Sequence, residues 1–330
     1  MEDYKNILFC SVSYRRNIKD MPFVKTLTDG EQAIGVTRSL SEIFGDDYEF
    51  KSLKNLSLQD CKVLEEDGTI TANLIDNKDI SAYGKSLDGE SLLYINEQDH
   101  IRVIVNSKKF NLEECYKKAN IIDDKILDKL EMSFNTDFGF LTSNPYLCGT
   151  GLEIEVLLFL PAIAYNNLFE KIENDLLKNQ YDVIHIGNTT SPFFKIKNKY
   201  TFGSKENEIA ENLYKIVLKI IELENNEESK IFDFSASHLA DRIFRSYGIL
   251  HNAYRLGVDE TIELLGQLLW GINLRMLKSK KQFDILDILC KIKENHISEG
   301  VLSVKEAEKK RARYLSDLIS LNIQKGEVDV

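Results

Sequence analysis

The feature that most restricts the fold of this 330-residue chain is a single change of apolar pattern near residues 222–230. Upstream, strand-like and helix-like spacings alternate; downstream, no strand pattern returns. Between them Glu222–Lys230 (ELENNEESK) is a polar, charged run that marks a domain boundary. The sequence therefore predicts a mixed domain over residues 1–225 and a helical domain over residues 231–330. With 43% hydrophobic residues and only 4 Pro and 17 Gly, the chain can bury a core in each.

Within the first part, Thr28 and Glu31 form a capping box ahead of Ala33, Val36, Leu40, Ile43 and Phe44, which predicts a helix from Thr28. Ser91–Val105 reads as a strand running into a polar loop. A helix from Ser204 carries Ile209, Leu213, Ile216, Val217, Ile220 and Ile221 on one stripe. Beyond the boundary, four helices are expected, over His238–Arg255, Glu260–Leu277, Phe283–Glu294 and Lys305–Ile323.

A formal charge of -11 argues against nonspecific nucleic-acid binding, and it means that any nucleotide must be held by a local cluster of cations or glycines. No apolar run reaches the roughly 18–20 residues of a membrane span, and Met1–Ile7 is charged and polar, so a cytoplasmic protein without membrane contact is expected. Cys10, Cys61, Cys115, Cys148 and Cys290 contain no CxxC pair, which fits reduced thiols and no metal site.

Two strings carry specific chemistry. Asn96-Glu97-Gln98-Asp99-His100-Ile101-Arg102 resembles the NEEDHxR loop of phosphagen kinases, which move a phosphoryl group between ATP and a guanidinium. Thr142–Glu153 (TSNPYLCGTGLE) is similar to their T-x-C-P-x-N-x-G-T-G-L-R segment, and Leu160-Pro161-Ala162 follows it. Arg16–Asp20 with Pro22-Phe23 matches a first motif, and Thr201, Gly203 and Glu206 a later one. Asp241–Leu250 (DRIFRSYGIL) resembles a run particular to bacterial protein arginine kinases. The resemblance implies an α+β fold, with a curved antiparallel sheet flanked by helices followed by an all-α bundle, and it implies a homodimer and partners in stress response and Clp proteolysis.

The same resemblance exposes what is missing. Phosphoryl transfer depends on positioning and on neutralising the phosphates, which this family does with arginines. At the expected arginine positions stand Ser11, Ser13, Glu153 and His185, and only Arg102 is kept. Rescue by Arg15 or Arg16 is not expected, since neighbouring strand residues face opposite sides and Arg16 fills a position of its own. Gln98 replaces the carboxylate implied as base, and an amide cannot take a proton at neutral pH. Asn144 replaces the reactive cysteine, Cys148 reads as a small buried filler, and Gly68 stands where a histidine would meet the nucleotide. The Ile184–Phe194 loop is shorter than its counterpart and lacks a substrate-clamping glutamate.

In the helical part, a family phosphoarginine pocket of the form R-D-x-x-R-A reads Ala307-Glu308-Lys309-Lys310-Arg311-Ala312. Its first arginine is gone, and mixed charge along the segment favours a solvated helix face. His238, His251 and His296 read as surface or capping residues. The expectation is a pseudokinase without ATP or magnesium, acting as a binding protein. The alternatives are a residual ATP:guanido phosphotransferase using ATP and magnesium, and a phosphoarginine or guanidinium sensor without turnover.

Overall fold

A computed structural model describes residues 5–108, 110–281, 283–298 and 303–326, so the first four residues of the polar Met1–Ile7 stretch lie outside the described part. In chain order the strands are β1 (Ile7–Arg16), β2 (Tyr48–Ser52), β3 (Ala82–Ser86), β4 (Ser91–Ile95), β5 (Ile101–Ser107), β6 (Phe134–Asn135), β7 (Gly139–Phe140), β8 (Leu152–Phe159), β9 (Tyr181–His185), β10 (Phe193–Asn198), β11 (Leu277–Ser279) and β12 (Ile323–Lys325). Eight of them form one sheet in the order β2-β3-β4-β5-β1-β8-β10-β9, and its neighbours are antiparallel throughout. The expected strand-and-loop of Ser91–Val105 is the β4–β5 hairpin.

The helices are α1 (Gly30–Phe44), α2 (Leu58–Glu66), α3 (Ala72–Asp76), α4 (Leu112–Leu127), α5 (Pro161–Tyr165), α6 (Phe169–Lys178), α7 (Glu206–Asn252), α8 (Val258–Asn273), α9 (Ile285–Lys291), α10 (Glu294–Ser298) and α11 (Val304–Asn322). The cap of α1 is Asp29 rather than Thr28: its carboxylate accepts from the N–H groups of Glu31 and Gln32. Strand alternation sorts β1 cleanly. Cys10, Val12 and Tyr14 enter the main core with α1, α4, α6 and the first half of α7, whereas Ser11, Ser13 and Arg15 face the other side.

Helix α7 runs through Glu222–Lys230, where the sequence places the domain boundary, and leaves helical geometry only at Ser235. The run has one apolar anchor, Leu223 against the main core, and several polar ones. Glu224 accepts from the N–H groups of Ala162 and Ile163 at 2.8 and 2.9 Å, Glu227 from Asn166 at 2.7 Å, and Glu228 from the Trp270 indole at 2.9 Å. Burial outweighs those two N–H groups and pushes Glu224 up to about 8. Downstream, the four expected helices appear as the second half of α7, α8, α9 with α10, and α11. The part is not purely helical, since β11 and β12 pair as a short ribbon.

The bundle does not stand apart from the sheet. Leu157, Phe159 and Phe193 on the second face of β8 and β10 share a core with Leu239, Ile243, Leu265, Trp270 and Leu315. At the other end of that face a smaller core sets α2 and α3 over β3, β4 and β5. Between these two covers runs a polar strip. Contact at the bundle end is close: a β-carbon on Gly266 of α8 would stand 2.4 Å from the Pro192 ring. We expect Gly266→Ala to lower stability by roughly 1–3 kcal/mol, measured by chemical denaturation.

Candidate functional site

The strip is laid down by strand register. Arg15 pairs with Arg102 across β1 and β5, Ser13 with Glu153 across β1 and β8, and Lys197 with Glu155 across β10 and β8. Arg102 Nη2 donates to Glu153 Oε1 at 2.6 Å, and Arg15 Nη1 to Glu97 Oε2 at 3.0 Å. Arg15 also lies 3.7 Å from Asp99 and 3.6 Å from Glu153. Lys197 reaches Glu153 at 3.3 Å, and Lys195 reaches Glu155 at 3.0 Å.

Arg15, Arg102, Lys195 and Lys197 thus face Glu97, Asp99, Glu153 and Glu155, four cations against four carboxylates. Burial alone would raise Glu153, but Arg102, Arg15 and Lys197 overcome it and hold the carboxylate down at about 2. Burial likewise opposes ionisation of Glu97, and Arg102 with Arg15 again prevails and lowers it. Arg102 itself is raised against its burial by Glu153 and Glu97. By formal charge the strip is balanced, so it offers an incoming polyphosphate no surplus positive charge.

Arg15 overturns one expectation. It stands two residues from Ser13, in phase with it on β1, and therefore points into the strip and not away from it. Arg16 does turn to the opposite face, where Nη2 donates to Asp123 at 2.6 Å and Nη1 to the carbonyls of Arg15 and Thr150 at 2.9 and 2.7 Å. Lys195, Lys197 and Glu155 were not singled out from sequence; the alternation of β10, with Phe194 and Ile196 in the core, was the available signal.

The loop between β4 and β5 is built from bonds that need no ligand. Asn96, at φ 55°, donates to the carbonyls of Ala33 and Ile80 at 3.1 and 2.9 Å. His100 Nδ1 accepts from the Ile18 N–H at 3.0 Å while Nε2 donates to the Pro22 carbonyl at 2.9 Å, and burial keeps the ring neutral by lowering it. Asp99 accepts from Asn17 and from the Ser143 N–H, both at 2.6 Å, and Thr71 donates to Glu97 at 2.7 Å. Gln98 is exposed at the rim. Asn144 caps the turn Pro145–Leu147 through the Tyr146 N–H, so its side chain is engaged.

The other expected residues divide. Ser11 and Ser13 are buried on the strip face, and Ser13 donates to the Glu153 carbonyl at 3.3 Å. Gly68, at φ 72°, sits in the exposed turn after α2 with open space where a side chain would be. His185 is not part of the strip. Its ring is wedged between Phe169 and Phe194 on the helix-covered face, 3.6 Å from Glu173, because β9 presents Tyr181, Val183 and His185 to the main core.

In the bundle Ala307 is buried and Glu308 pairs with Arg255 at 2.6 Å. Arg311 is not a solvated residue. It is 2% exposed, and it donates to the carbonyls of Ile292 and Leu256 at 2.6 and 2.8 Å. Its two carbonyl partners tie α11 to the ends of neighbouring elements. None of the five cysteines is in a disulfide, and among the described residues no group of His, Cys, Asp and Glu is arranged to hold a metal ion. No helix among the described residues is long and apolar enough to cross a membrane.

Residues 34–227 match the model of the ATP:guanido phosphotransferase C-terminal catalytic domain, and residues 236–327 that of the protein-arginine kinase McsB C-terminal domain. The chain is 29% identical to the protein-arginine kinase of Clostridium acetobutylicum, over 96% of this chain and 97% of that one. It is 28% identical to that of Shouchella clausii, over 96% and 92%. Among solved structures, a duplicated taurocyamine kinase from Schistosoma mansoni superposes with a TM-score of 0.62 at 20% identity, covering 77% of this chain and 40% of that longer one. A lombricine kinase gives 0.59 at 21%, covering 71% and 70%. These last two show the fold. With the first family model spanning more than half of its residues, the chain belongs to the ATP:guanido phosphotransferase family, in the protein-arginine kinase branch.

Proposed function

We propose that this relative of the protein-arginine kinases is a pseudokinase that acts as a noncatalytic binding protein, with partners in the Clp-linked stress response that the family resemblance implies. The observation that carries the reading is the 2.6 Å pair between Arg102 and Glu153. A guanidinium already bonded to a buried carboxylate must break that bond before it can take a phosphate. The exchange returns little, because the displaced carboxylate would then face the phosphate. The absent base at Gln98 adds a second, independent loss.

A residual phosphotransferase is the reading that Arg15, Lys195 and Lys197 favour, since they keep cations on the strip. Each is already paired with a carboxylate, which is why the pseudokinase reading is preferred. A phosphoarginine sensor is less well supported, because Arg311 spends its Nε and one Nη on backbone carbonyls.

Calorimetric titration of the full chain with ATP and magnesium is expected to give no measurable heat of binding. A dissociation constant in the micromolar range would remove the basis of this reading. Gln98→Glu alone is expected to yield no phosphoarginine on the protein, because a restored base has no held γ-phosphate to work on. Mass spectrometry under conditions that preserve the P–N bond checks it, and any autophosphorylation would favour the phosphotransferase.

A further inference from the structure

Beyond the shared core the bundle touches the sheet domain through polar contacts, among them Lys108 with Asp284 at 2.7 Å and Glu66 with α10. Glu66, the last residue of α2, closes its carboxylate on the start of α10: Oε1 accepts from the backbone N–H and the Nδ2 of Asn295 at 3.0 and 2.8 Å, and Oε2 from the His296 N–H at 3.0 Å. Lys293 donates to the Glu66 carbonyl at 3.1 Å, and the His296 ring meets Asp67 at 2.9 Å. Beside this contact lies a cleft of about 920 Å³ whose lining includes Cys115 and Lys118 of α4 and Leu286 and Cys290 of α9.

Two properties make the contact switchable. It is made of polar bonds, and the core beneath α2 consists of Leu53, Cys61, Ile70, Leu74, Tyr83, Leu92, Tyr94 and Ile104, with no residue of the bundle. Opening it would leave both cores intact. It is also connected to the strip. The segment Glu66–Thr71 leads directly to the Thr71 hydroxyl, which holds Glu97 at 2.7 Å, and Glu97 in turn holds Arg15 at 3.0 Å.

We propose that Glu66 is a latch between the two parts of the molecule: seated on α10 it fixes the width of the cleft and holds Glu97 in the strip, and on release it widens the cleft and loosens the 96–100 loop. The coupling is physical, a short backbone segment bonded at both ends, and either end biases it. It does not rest on the loss of ATP binding, since a strip that bound nucleotide would be coupled in the same way.

The test uses the full chain carrying Glu66→Ala, with maleimide labelling of Cys115 and Cys290 and hydrogen exchange read at residues 68–71, 96–100 and 294–298. Both labelling rates and exchange in all three segments are expected to rise by about tenfold or more, the scale set by loss of a charged hydrogen bond. Ser57→Ala removes the cap at the opposite end of α2 and is expected to leave labelling unchanged. If Glu66→Ala does not fold, Glu66→Gln, which keeps one acceptor oxygen, is expected to show the same changes at smaller size. Unchanged labelling in a folded Glu66 variant would overturn the proposal. So would faster exchange at 68–71 without any at 96–100, or an equal effect from Ser57→Ala.

Discussion

A buried carboxylate in the middle of a sheet must find cations, and Glu153 finds three. Arg102, Arg15 and Lys197 converge on it from β5, β1 and β10. The arrangement is set by register, because β5, β1, β8 and β10 lie in succession in the sheet. Removing one partner of such a pair costs roughly 3–5 kcal/mol, since the charge left behind is buried and unpaired. The strip is thus committed to its own balance, and a ligand of either sign would have to disturb it.

This commitment accounts for the uneven survival of the family strings. The letters that remain are those with structural duties. Asn96 spans two backbone carbonyls, His100 bridges the Ile18 N–H and the Pro22 carbonyl, and Arg16 holds Asp123 and two more carbonyls across the sheet. Of the letters that changed, Gln98, Asn144 and Gly68 lie at a rim, in a turn cap and in an exposed turn, whereas Ser11, Ser13 and Glu153 are buried in the strip. Frame and chemistry can vary separately in such a site because different atoms serve the two purposes.

Much of the fold was legible in the sequence, and the misses have identifiable causes. The core stripe of α7 was readable from apolar spacing; its passage through Glu222–Lys230 was not, because Glu224, Glu227 and Glu228 are fixed by partners distant in sequence. The swap of Thr28 for Asp29 as cap is a choice between adjacent capping residues that only geometry makes. Arg15 was misjudged although strand parity alone puts it beside Ser13. His185 was carried into the site by its place in a motif, whereas its parity with Tyr181 sends it to the other face. Arg311 looked solvated from the charge around it, yet its carbonyl partners lie 19 and 55 residues away in sequence.

The strip's internal neutrality depends on Glu153 staying ionised through its bonds to the three cations, and this can be read directly. Nuclear magnetic resonance of the side-chain carboxyl carbon, assigned by difference from Glu153→Gln, follows that group alone as pH falls. A carboxylate that stays ionised down to about 2 is expected, and its contribution to stability would be lost only as pH falls from the ordinary glutamate range through that value. A midpoint near the ordinary glutamate pKa of roughly 4.3 would contradict the account, because Glu153 would then not be spent on the arginines.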